Sequence, residues 1–147
     1  MTKKEVRHVL CQVRSSRLES ERLLLEIQQI REELTAVKAI RYDTIRVQTS
    51  PENALERLII KLDDRTADLE ARIEDEKRAI DAARGLIRTC TRPAAAEALT
   101  RRYIDGQRPE KIAEQMAYSE KHVFTLIRQG IAEIAERSEG TWQEPME

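Results

Sequence analysis

The chain has 147 residues, of which 36% are charged and 3% aromatic, with a formal net charge of −1. That length suits one domain, or one domain with an appendage. So few aromatics exclude a sandwich or barrel, whose strands lean on Tyr, Phe, Trp and β-branched residues. Near-neutrality excludes a global basic field, so any nucleic-acid contact must come from a local patch. No run of ~18 apolar residues is present, so no membrane span is expected. The start MTKKEVRHVL lacks the apolar stretch of a signal peptide, which predicts a cytoplasmic protein whose Cys11 and Cys90 are reduced thiols. His8 and Cys11 stand one helical turn apart, and only Cys90 and His122 remain elsewhere. A closed zinc site needs four ligands at recognisable spacing, so no metal or other cofactor is expected.

From Lys3 to about Ala39 there is no Gly or Pro, and positions alternating by three and four read Val6, Val9, Val13, Ser16, Ser20, Leu23, Ile27, Ile30, Leu34 and Val37. That is the a/d pattern of a coiled-coil seam, softened by two serines. Leu24 and Leu25 widen the stripe, so the helix is expected to touch more than one neighbour. The pattern lapses between Ile40 and Ser50. Ser50-Pro51-Glu52 then supplies a capping hydroxyl, a Pro at the first helical position and an acid in the first turn. The second helix runs to about Thr89, with a seam of Leu55, Ile59, Leu62, Thr66, Leu69, Ile73, Glu76, Ile80, Ala83 and Ile87. Asp68–Arg72 and Glu74–Arg78 have the i,i+4 spacing of helical ion pairs. Glu76 is a polar interruption suited to fixing register. Each helix is on the order of 55 Å long, and a short connection folds the pair into an antiparallel hairpin. One hairpin has a thin core, so a homodimer is expected.

Thr91-Arg92-Pro93 ends the second helix. Three shorter helices are predicted beyond it, Ala94–Ile104, Pro109–Met116 and Ser119–Arg137, separated by Asp105-Gly106-Gln107-Arg108 and Ala117-Tyr118. Gly140 to Glu147 reads as a disordered acidic tail. In the second short helix Ile112, Ala113 and Met116 form the apolar side. Ser119 caps the third, which buries Val123, Leu126, Ile127, Ile131 and Ile134 and presents Glu120, Lys121, His122, Phe124, Thr125 and Arg128 to solvent.

A short helix, a tight turn and a longer helix with a polar first face make a helix-turn-helix, whose second helix enters the major groove. Lys121 and Arg128 are able to donate to guanine O6 and N7, Glu120 to accept from the cytosine amine, and Phe124 to meet a thymine methyl. Arg101, Arg102, Arg108 and Lys111 sit where phosphate contacts would fix position without reading sequence. Residues 98–129 hold six Lys/Arg against four Asp/Glu.

Arg102-Tyr103-Ile104-Asp105-Gly106, then Ile112-Ala113, then Tyr118-Ser119-Glu120-Lys121-His122-Val123 resembles the C-terminal signature of phage transcriptional activators of the RinA and ArpU type. It is similar too to the sigma-factor domain that reads the upstream promoter element. Ile45-Arg46-Val47-Gln48-Thr49-Ser50-Pro51 followed by a long charged helix resembles small proteins of that group from phages and prophages of Gram-positive bacteria. The likeness covers roughly residues 40–137. It implies a DNA-binding regulator near late or packaging genes, with Glu120, Lys121, Phe124 and Thr125 on bases and His122 on the backbone. Phe124 stands where the sigma-type helix usually carries Arg, and Gly130 where Ala is commoner.

The expected fold is therefore all-α: a long antiparallel helical hairpin (coiled coil) over residues 1–90, a sigma-factor-type helix-turn-helix over 93–137, and a disordered tail over 138–147. No phosphate-binding loop, H-E-x-x-H or nucleophile–base motif occurs, so no enzyme activity is expected. The expected function is sequence-specific DNA binding in transcriptional control. The expected partners are double-stranded DNA, a second copy of the chain and, as an adaptor alternative, host RNA polymerase. A small terminase-like packaging protein is a further alternative, distinguished by assembly into rings.

Overall fold

The computed structural model describes residues 1–43 and 51–143, and every regular element among them is helical. In chain order these are α1 (Lys3–Asp43), α2 (Pro51–Ile87), α3 (Pro93–Leu99), α4 (Pro109–Met116) and α5 (Glu120–Gln143). A π-helical turn, Thr100–Ile104, continues α3. The connecting segment with its Ser50 cap, and residues 144–147, lie outside the described residues. Among the described residues no helix is long and apolar enough to cross a membrane.

The chain divides into two compact units, residues 17–75 and residues 1–16 together with 76–147. The division expected at residues 90–93 therefore falls elsewhere. Val6, Leu10 and Val13 of α1 and Ala83 and Ile87 of α2 share one core with the later helices, so both hairpin ends belong to the C-terminal unit.

In the unit of residues 17–75, α1 and α2 are antiparallel. Arg65 Nε lies 3.0 Å from Glu26 and Arg72 Nη1 lies 3.2 Å from Glu19. The partner on α1 falls by seven positions as α2 advances by seven, which is an antiparallel register. Two expectations need correction here. Arg72 pairs with Glu19 and Asp75, and Asp68 pairs with Arg65 at i,i+3, because the arginines reach over the seam. Along α2, Leu58 is half-buried while Ile59 and Ile73 are exposed, so the seam steps from Leu55 to Leu58 rather than to Ile59. The ten-residue seam read on α1 is buried or half-buried throughout.

The second unit begins with a capping box that the sequence displays as Thr-x-x-Glu. The Glu5 N–H donates to Thr2 Oγ1 at 3.2 Å and the Thr2 N–H to Glu5 Oε2 at 3.1 Å. Its core gathers Leu99 from α3, Ile104 from the π turn, Ile112 from α4 and Val123, Ile131 and Ile134 from α5 around Leu10 and Val13. α3 and α4 both start at a proline preceded by an extended residue, Arg92 and Arg108. That is how the pyrrolidine ring constrains the residue before it.

Ala94–Ile104 was expected as one plain helix, and its last turn is wider. The Asp105 N–H donates five residues back to the Thr100 carbonyl at 3.0 Å. Thr100 Oγ1 donates to the Ala96 carbonyl, a back-bond that loosens helical geometry. Gly106, at φ 72°, then turns the chain towards Pro109. α5 continues to Gln143, so the tail expected from residue 138 begins as helix.

Gly130 sits where α5 crosses α3. A Cβ there would lie 2.7 Å from Leu99 Cδ1 and 3.5 Å from the Ala95 Cβ, so the absent side chain is what lets the helices close.

Candidate nucleic-acid interface

α4 ends in a Schellman motif, in which the Tyr118 N–H donates to the Ala113 carbonyl at 3.0 Å and the Ala117 N–H to Glu114 at 3.4 Å. Ala117 takes the left-handed conformation, φ 58° and ψ 41°, that this motif requires and that glycine adopts more readily. Ser119 follows, and its Oγ accepts the His122 N–H at 3.1 Å, as expected of a cap. A left-handed residue, a short link and a capping serine thus fix where α5 starts relative to α4.

Ala117 is exposed and loses no packing on truncation. Ala117→Gly is therefore expected to raise stability by about 0.5–1 kcal/mol, the relief of strain exceeding the added freedom of the unfolded chain. Urea unfolding measures it, and a loss of stability would contradict the left-handed assignment.

On α5, Val123, Leu126, Ile127, Ile131 and Ile134 face the core, as read from the sequence. Glu120, Lys121, Phe124, Thr125 and Arg128 follow one another at i, i+1, i+4, i+5 and i+8, which is a single outward stripe. Phe124 is 46% exposed at its centre. Thr125 is half-buried, and its hydroxyl donates to the Lys121 carbonyl at 3.0 Å, leaving its methyl and lone pairs for any outside partner. His122 is exposed beside the stripe, its ring edge-on to Tyr118 at 4.6 Å.

The cations around this stripe differ in how they are held. Arg101 gives its Nε and Nη2 to Glu97 and its Nη1 to Gln115. Arg102 donates to the Gln107 carbonyl at 3.3 Å, and Arg92 to Gln129 at 2.8 Å. Arg101 and Arg102 thus brace neighbouring segments through these bonds. Among the described residues, the exposed head groups of Arg108, Lys111, Lys121 and Arg128 are in no ion pair or side-chain hydrogen bond. Glu110, Glu114 and Glu120 are exposed in the same region.

A residue that sequence reasoning missed anchors α5 from the other side. Glu133 accepts the Thr91 N–H at 2.8 Å, the Thr91 hydroxyl and the Cys90 thiol, and lies 3.4 Å from Arg137 Nε. These bonds, the Thr91 hydroxyl first, hold the Glu133 carboxyl down at about 2. Burial and the hydrogen bond to Glu133 push the Cys90 thiol up, so it stays protonated. The only signal in the sequence was Arg137 four residues on, since contacts 42 positions apart leave no local pattern.

Glu133 binds protons more weakly folded than unfolded. Its stabilisation is therefore complete above the ordinary carboxylate value near 4.5 and is lost as pH falls from there towards 2. Glu133→Ala is expected to cost about 1–2 kcal/mol at neutral pH and to flatten stability between those values. A pH series of denaturation curves measures it, and an unchanged acid limb would contradict the anchoring role.

Comparison of the chain with protein-family models, curated proteins and solved structures returned no match.

Proposed function

We propose that the chain is a sequence-specific DNA-binding transcriptional regulator of the phage or prophage kind, acting as a homodimer held by its hairpin. α4, the turn and α5 serve as the helix-turn-helix, and α5 lies in the major groove. The observation that carries this reading is the division of the cations. The arginines nearest the fold are spent on internal bonds, whereas Arg108, Lys111, Lys121 and Arg128 stand exposed and unpaired around the first turns of α5. Lys121 and Arg128 donate to guanine, Glu120 accepts from cytosine, and Phe124 with the Thr125 methyl packs on thymine methyls. Arg108 and Lys111 hold phosphates, and Ser119 and His122 lie at the groove edge. No catalytic role is assigned to any residue.

A second reading has its own support. Exposed Tyr118 and Phe124 among Glu110, Glu114 and Glu120 suit a protein partner, and the chain would then be an adaptor docking on RNA polymerase or another regulator. Selection of bound duplexes from a random pool separates the two. Enrichment of one motif containing G·C and T·A pairs is expected. A pool that stays random, with polymerase retained by the immobilised protein, would move the assignment to the adaptor.

A further inference from the structure

We infer that one flank of α1 near its start, formed by Lys3, Arg7 and Arg14, is a second phosphate-binding strip that holds duplex DNA beside the stretch read by α5. This rests on the DNA-binding reading above and adds to it a contact from outside the helix-turn-helix.

Residues 1–16 carry four Lys/Arg against one acid. Lys3, Arg7 and Arg14 recur at i, i+4 and i+11, which sets them on one flank of α1, beside the stripe of buried Val6, Leu10 and Val13. The acid, Glu5, lies on the other flank and closes the capping box with Thr2. All three cations are exposed and, among the described residues, in no ion pair or hydrogen bond. Arg65 and Arg72, by contrast, reach acids on α1.

This placement runs against what the helix itself favours. Lys3 stands at the positive end of the helix dipole, and Lys3 with Arg7 is a like-charge pair at i,i+4, which is destabilising. Charge kept against the preference of its own helix points to an anion outside the chain.

The strip also runs into the cations assigned to phosphates. Tyr103 is half-buried against the core that α1 shares. Burial first, and then the Cys11 thiol, push its hydroxyl up, while Arg102 and Arg7 pull it down, so both guanidiniums stand near one phenol. Arg102 in turn donates to the Gln107 carbonyl at 3.3 Å, and Arg108 is the next residue, with Lys111 in the first turn of α4. Lys3 to Arg14 spans about 16 Å, or about five base pairs of duplex. The composition selects a polyanion over a protein. Among the described residues of 1–16 no large hydrophobic is exposed, and a protein partner needs such anchors, whereas phosphates need only cations.

Fluorescence anisotropy of the full chain, titrated with salt on one preferred fragment and on random duplex, tests this. The triple variant Lys3→Gln, Arg7→Gln, Arg14→Gln is expected to lower the slope of log K against log salt by about three per subunit on both duplexes, with the preference between them unchanged. Its thermal midpoint is expected to be no lower than that of the wild type, because like charges are removed. The charge-conserving Lys3→Arg, Arg7→Lys, Arg14→Lys is expected to keep the full slope. An unchanged slope in the Gln variant, with the fragment preference intact, would overturn the strip and leave the reading of α5 standing. A reduced slope in a protein that prefers no fragment would support the strip and remove α5 as a reader of sequence. Loss of slope in the charge-conserving variant would overturn the strip, and a wild type that binds no duplex at low salt would overturn both.

Discussion

Leu99→Ala will lower the unfolding free energy by about 3–5 kcal/mol, the largest effect expected of any single truncation in the C-terminal unit. Leu99 is fully buried, and its Cδ1 occupies the space directly over Gly130. Truncation removes the contact between α3 and α5 at the point where no Cβ is available to fill the gap. The same contact predicts an unusual coupling. In the wild type, Gly130→Ala gains about 1 kcal/mol of helix propensity but forces a methyl into Leu99 at 2.7 Å, and overpacking of about 1–3 kcal/mol outweighs the gain. In the Leu99→Ala background the clash is gone, so Gly130→Ala will stabilise. A double-mutant cycle by urea unfolding reads this change of sign, and additive effects would contradict the close crossing.

The second large effect concerns the exposed cations. Under the proposed reading, Lys121→Ala and Arg128→Ala each remove a base-reading donor and will cost about 1–3 kcal/mol on the preferred duplex, with little change on random DNA. Arg108→Ala and Lys111→Ala will weaken binding to every sequence alike and reduce the salt slope by about one each per subunit. Arg101→Ala behaves differently again. Its guanidinium links Glu97 to Gln115, so the loss appears in stability rather than in salt dependence. Anisotropy titrations on one specific and one random duplex at several salt concentrations sort the four variants. Equal losses on both duplexes for Lys121→Ala would remove it from the base-reading set.

Local signals carried most of the fold. The α1 seam was readable because period alone decides which side of a long helix is buried. The starts of α3 and α4 were readable because Pro93 and Pro109 constrain the residue before them, and Ser119 acts as a cap. The Thr2–Glu5 capping box was legible in the same way but went unread. The α2 seam was harder, since Leu58, Ile59 and Ile60 are consecutive aliphatics and only packing decides which points inward. Three features depended on contacts distant in sequence. These are the sharing of one core by both hairpin ends and the later helices, the closure of Gly130 on Leu99, and the Glu133 anchor. The outward stripe of α5 was legible, because a helix whose buried face is known has its exposed face known too.

The most direct test is salt-titrated binding of the wild-type protein to duplex fragments of its own genomic neighbourhood. Arg108 and Lys111 on each subunit of a dimer predict a slope of log K against log salt at least as steep as about −4, together with a preference of at least about a thousandfold for one fragment over random DNA. Absence of binding at low salt, or salt-dependent binding equal on every fragment, would contradict the assignment of α5 as a reader of DNA sequence.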